Sequence, residues 1–118
     1  MPNQPPVAFV APPSEPAGLE IRVNFGVFAG REATAAELDE LGRAVLTEVK
    51  QVAIVSESRH EMDSDSEASI HQVRIEVPWA ALPVDESERA LLCDLLVSAA
   101  ERWARACSES RHADVVEL

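Results

Sequence analysis

The chain predicts an α+β fold, with two helices on one face of a mainly antiparallel sheet. Three observations predict it. Two segments, near residues 19–25 and 71–77, alternate apolar and polar residues with period two, the pattern of a half-buried strand. Two others, near 35–50 and 86–109, carry apolar residues at helical spacing behind clear N-caps. Turn-forming or proline-bearing stretches separate them all.

Taken in order, residues 1–17 hold six of the eight prolines: Pro2, Pro5, Pro6, Pro12, Pro13 and Pro16. Such density blocks both helix and central strand, so a disordered leader is expected there, with one domain over 18–118. Pro2 to Pro5 and Pro13 to Pro16 also have the spacing of polyproline ligands, a short pattern that plain tails share. Leu19, Ile21, Val23 and Phe25 then alternate with Glu20, Arg22 and Asn24 as the first strand. Gly26 and Gly30 bracket a turn. Thr34 and Glu37 form a capping box, and Leu38, Leu41, Val45 and Val49 follow on one face of a helix expected over 35–50.

Val52 to Val55 reads as a second strand, continuing polar to His60. Met62 to Ala68 is rich in Ser, Asp and Glu and reads as a hairpin loop. His71, Val73, Ile75 and Val77 make a third strand, which Pro78 ends because proline cannot donate to the ladder. Asp85 caps a long helix expected over 86–109. Val115, Val116 and Leu118 are left for a short final strand or a frayed end.

The order is therefore β-α-β-β-α, with an optional last β. A helix between the first two strands makes them parallel, and the hairpin pairs the second and third antiparallel. Both helices then cover one face. This is a two-layer sandwich of the split β-α-β, ferredoxin-like kind, a topology that implies no particular function.

Totals narrow the function classes. With 118 residues the chain supports one modest core, and 47% hydrophobic content lets it fold. Aromatics are only 4%, so that core is built mainly from Leu, Val, Ile and Ala. A net charge of −11 repels phosphate backbones and anionic headgroups, which argues against nucleic acid and membrane partners. No apolar run approaches the roughly 20 residues that cross a bilayer. The first basic residue is Arg22, so the N-terminus lacks the positive region of a signal peptide, and the cytoplasm is the expected location. Cys93 and Cys107 lie roughly 21 Å apart along one helix, too far to bridge.

The long helix has the most informative pattern. Asp94, Ser98, Glu101, Arg102 and Arg105 fall in one polar arc of roughly 100°. Leu92, Leu95, Leu96 and Trp103 centre opposite, with a stripe of smaller residues beside them: Cys93, Val97, Ala100, Ala104 and Cys107. The apolar arc totals roughly 200°, wider than one sheet contact needs. The small stripe is thus a candidate interface with a second chain, since symmetric dimers are common; the first helix and the C-terminal tail are its alternative cover. Trp103 is expected in the core or at that interface. Trp79 is expected half-exposed.

Three chemical sites are weighed. Glu57, His60, Glu61, Asp63, Asp65, Glu67 and His71 crowd the hairpin. Imidazoles with carboxylates suit zinc, nickel or iron, and alternating oxygens at Asp63, Asp65 and Glu67 suit calcium, so His60, His71, Asp63 and Asp65 are candidate divalent-metal ligands. A solvated acidic turn that guards a sheet edge has the same composition. Gly26 to Arg31 follows a strand and precedes a helix, where backbone amides can hold an anion, but it lacks the P-loop spacing and its Lys-Ser/Thr pair. The face away from the helices carries Glu20, Arg22, Asn24, Gln72, Arg74 and Glu76; two arginines among carboxylates suit an anionic substrate or cross-strand ion pairs. GxSxG, HExxH and CxxC are absent from the sequence, and His112 is the only imidazole close in sequence to Cys107. No reaction class or resident cofactor is predicted. The leading expectation is a small non-enzymatic interaction or accessory domain, a homodimer or the partner of another protein, using its long helix or its open sheet face. A metal-binding hairpin and an enzyme on the open face rank behind it.

Overall fold

The computed structural model describes residues 6–11, 17–62, 64–65 and 67–117, with side-chain detail throughout except at 17, 59, 61, 67–69 and 110–117. Four strands and three α-helices follow one another: β1 (Ala8–Ala11), β2 (Ala17–Val23), α1 (Phe25–Ala29), α2 (Ala35–Val45), β3 (Ala53–Met62), β4 (Glu67–Pro78) and α3 (Glu86–Glu117). One sheet results, in the order β1-β2-β4-β3, with every neighbouring pair antiparallel. The fold is α+β.

Period-two patterning sets the sheet's two faces. Leu19, Ile21 and Val23 on β2 lie level with Val77, Ile75 and Val73 on β4, and all six are buried beneath the helices. Leu41 and Val45 of α2 and Leu96 and Ala100 of α3 are fully buried with them. Each large aliphatic side chain so enclosed contributes roughly 1.5–3 kcal/mol of transfer free energy. Thr34 caps α2 as its sequence requires: its hydroxyl accepts from the Glu37 amide, and the Glu37 carboxylate accepts from the Thr34 amide. Asp85 accepts from the Glu88 amide and so caps α3.

Four expectations are corrected. The leader is not uniformly without structure: Ala8–Ala11 is a strand that pairs with β2, held where the Asn24 amide donates to the Val7 carbonyl and the Asn24 side chain donates to the Pro6 carbonyl. Both polyproline spacings, Pro2 to Pro5 and Pro13 to Pro16, lie outside the described residues. Phe25 leaves the first strand to start α1, because its ring packs on Trp103 with centroids 5.1 Å apart. Gly30, at φ 73°, closes that single helical turn in a conformation that favours glycine. Helix α2 stops at Val45, five residues before the expected end. Finally, 115–117 continue α3, so no last strand forms there and β1 takes the place beside β2.

Candidate functional site

The hairpin turns within the expected loop but more tightly: Met62, Glu67 and Ala68, expected in the loop, are strand, and β3 and β4 pair out to Met62 opposite Glu67. Its two histidines are staggered rather than level. His71 lies opposite Ser58, and His60 opposite Ser69. The Ser58 hydroxyl donates to Glu32 at 2.6 Å and sits 2.9 Å from Nδ1 of His71; Glu32 is 3.8 Å from the same nitrogen. Glu32 was not among the predicted residues, and nothing in its local pattern marks it. A serine lying between imidazole and carboxylate is a structural bridge. A nucleophilic triad needs the imidazole in the middle. Of the candidate metal ligands, Asp63 lies outside the described residues. Among the described residues no three His, Cys, Asp or Glu side chains gather as a cation site.

The face away from the helices is an ion-pair network. Register sets Arg22 level with Arg74 and Glu20 level with Glu76, like charges opposite one another. Directly opposed like charges repel, so each group turns to a diagonal or same-strand partner. Arg22 bonds Glu20 at 2.6 Å and reaches Gln72, which donates to Asn24 at 2.7 Å. Arg74 stands 3.5 Å from Glu76 and 3.9 Å from Glu57. Glu20 is wholly buried. The ion pairs run mainly along the strands, Arg22 with Glu20 and Arg74 with Glu76, and cross strands only from Arg74 to Glu57; among the described residues the buried Nε of Arg74 has no hydrogen-bond partner.

The stripe on α3 is covered from within. Ala100, Ala104 and Cys107 are buried in the core, and Cys93 and Val97 pack partly buried against it. Small side chains there let α3 approach α1, α2 and β1 closely, which corrects their reading as an open interface. Leu95, expected with the core, is instead half-exposed. Trp103 is core, and its indole N–H donates to the Glu37 carbonyl at 2.8 Å. Trp79 is largely exposed beneath the Arg89 guanidinium.

Arg31 does not offer a free charge to an anion at the Gly26–Arg31 turn. It grips Glu37 with two hydrogen bonds of 2.8 Å. That clamp, reinforced by the Thr34 amide, holds the Glu37 carboxyl down at about 2 despite its partial burial. Beside it, burial first and the neighbouring Glu37 charge second push the Cys107 thiol up to about 12. Cys107 is therefore a protonated, unreactive packing group at neutral pH. A hollow of about 440 Å³ between α2 and α3 is lined by Glu37, Glu40, Arg102, Trp103 and Cys107, and the Glu37 carboxylate there is already bonded.

One feature has no partner among the described residues. Strand β3 is ten residues long and lies at the edge of the sheet, paired on one side only. Beside it runs a largely apolar groove of about 380 Å³ lined by Leu38, Gly42, Leu46, Val52 and Ile54, with the Asp39–Arg43 ion pair of α2 also on its wall. Leu46 is half-exposed at its rim. Sequence reading placed β3 but missed its role, because an edge is a property of strand order and not of any residue in the strand. No helix is long and apolar enough to cross a membrane among the described residues. No family model, curated protein or solved structure matches the chain.

Proposed function

We propose that the chain is a non-enzymatic interaction domain on a ferredoxin-like sheet, and that it docks its partner by strand addition to β3. The observation that carries this is the long one-sided strand β3 with an apolar groove alongside. An unpaired edge presents a row of N–H and C=O groups that an extended segment satisfies, while a flanking groove accepts alternate side chains. The fold label is supported by the strand order: β2 and β3 run parallel with β4 between them, joined across by α2. A cytoplasmic setting is supported by the two free thiols, Cys93 and Cys107.

Panning displayed random peptides against the immobilised full chain tests the docking reading. Extended, alternating apolar sequences should be enriched. Enrichment should vanish on the Leu46→Asp variant, whose change lies at the groove rim and spares the core. Equal enrichment on both proteins, or none on either, contradicts strand addition at this groove.

A further inference from the structure

We infer that the strand added to β3 is β3 of a second copy, giving a two-fold dimer with a continuous eight-stranded sheet. This rests on the docking reading above and names its partner.

The inference follows from the pattern along the strand. A two-fold axis normal to the sheet pairs two edge strands antiparallel. Side chains on the outer strand keep their faces, so only registers centred on a residue are allowed, and the centre decides which charges meet. Centring on Glu57 sets that carboxylate against its own copy. Centring on Arg59 sets the two Arg59 residues together and Glu57 against Glu61. Centring on Ser58 does neither. It brings Glu57 of each copy level with Arg59 of the other, twice over by symmetry, and it keeps all of 54–62 paired.

The same register supplies an apolar contact. Ile54 lies level with Ile75, whose side chain is under the helices, so the even-numbered positions of β3 share the helix-covered face. Met62 belongs to that set and is 70% exposed in the single chain. With Ser58 at the centre, the partner's Met62 stands opposite Ile54, at the groove of Leu38, Gly42, Leu46 and Val52. An exposed flexible apolar side chain and an open apolar groove are thus matched twice in one dimer. A register centred on His60 would also set Arg59 against Glu61, but it pairs only 58–62 and leaves the groove empty; groove filling and pairing length together select Ser58.

Sedimentation of the full chain over about 10 µM to about 1 mM tests this, a range suited to a strand-edge contact of modest affinity. The wild type should dimerise. Glu57→Arg should weaken the dimer about tenfold by placing like charges opposite each other twice. General repulsion predicts the reverse, since that variant makes the chain less negative. Arg59→Glu should also weaken it, and an equimolar mixture of the two variants should form the heterodimer, in which both contacts again join opposite charges. Met62→Lys should weaken the dimer with an unchanged urea midpoint, which guards against a folding defect at Glu57 through its contact with Arg74.

A monomer at every concentration overturns self-pairing, and then selected peptides on the wild type keep strand addition alive while their absence ends both. A dimer indifferent to all three variants overturns the β3 register. Two singly substituted chains that refuse to mix do the same.

Discussion

The two edges of the sheet are built differently. The β1 edge is four residues long; Ala8 and Ala11 on it and Val7 just before it are buried, while Val10 is half-exposed. Asn24 ties the chain just before it through two hydrogen bonds, and α3 packs against it. The β3 edge is ten residues long, carries no proline, and has no neighbour among the described residues. Short, tied and covered strands are how proteins protect a sheet edge. Beyond its charged residues, the β3 edge has none of these covers among the described residues, which is the contrast the docking proposal rests on. Changes at β1 should then cost stability, and changes on the outer side of β3 should cost association.

The largest effect is expected at β1. Ala8→Asp puts a carboxylate into a buried position facing the core, and should destabilise the domain by about 3 kcal/mol or more, read as a lowered urea midpoint. A midpoint near that of the wild type would show that β1 is no better sealed than β3.

Acid should loosen the helix layer next, on the scale of a few kcal/mol at most. Glu37 is held at about 2, below its ordinary 4.5, chiefly by Arg31. A depressed carboxyl stabilises the fold above its unfolded value, and that contribution is lost as pH falls through 4.5 towards 2. Arg31→Ala should flatten this stretch of the stability profile measured by denaturant titration. An identical slope in the variant would remove Arg31 as the cause. Because Glu37 sits on α2, the helix that flanks the groove, this also tests what fixes the groove's inner wall.

Asn24→Ala should cost about 2 kcal/mol. It strands the Gln72 amide and the Pro6 carbonyl and releases the start of β1, with the dimer constant unchanged. Coupled loss of stability and association would mean that the two edges are not independent.

Much of this fold is legible in the residues. The alternation of Leu19, Ile21 and Val23, the Thr34–Glu37 box and the Asp85 cap are local signals, and local physics decides them. What escaped is decided at a distance. Ala8–Ala11 is a strand because Asn24, many residues on, fixes the chain before it; prolines on both sides hid it. Phe25 is apolar in step with β2, yet Trp103 of α3 draws it into a helix. The small stripe at Ala100, Ala104 and Cys107 has the same composition whether it meets α1 and α2 or another chain. Glu32 reaches Ser58 and His71 only through the fold. The β3 edge is the extreme case: 53–60 read as strand, Met62 read as loop, and only the sheet order shows the strand's outer side.

The most direct test of the account is residue-resolved amide hydrogen exchange across 53–62 at two protein concentrations. Amides bonded to β4 should be protected at both. Those on the outer side should exchange quickly in dilute protein and become protected in concentrated protein. Outer amides that stay fast at high concentration, or that are protected even at high dilution, would contradict the claim that β3 is an open edge on which a second copy docks.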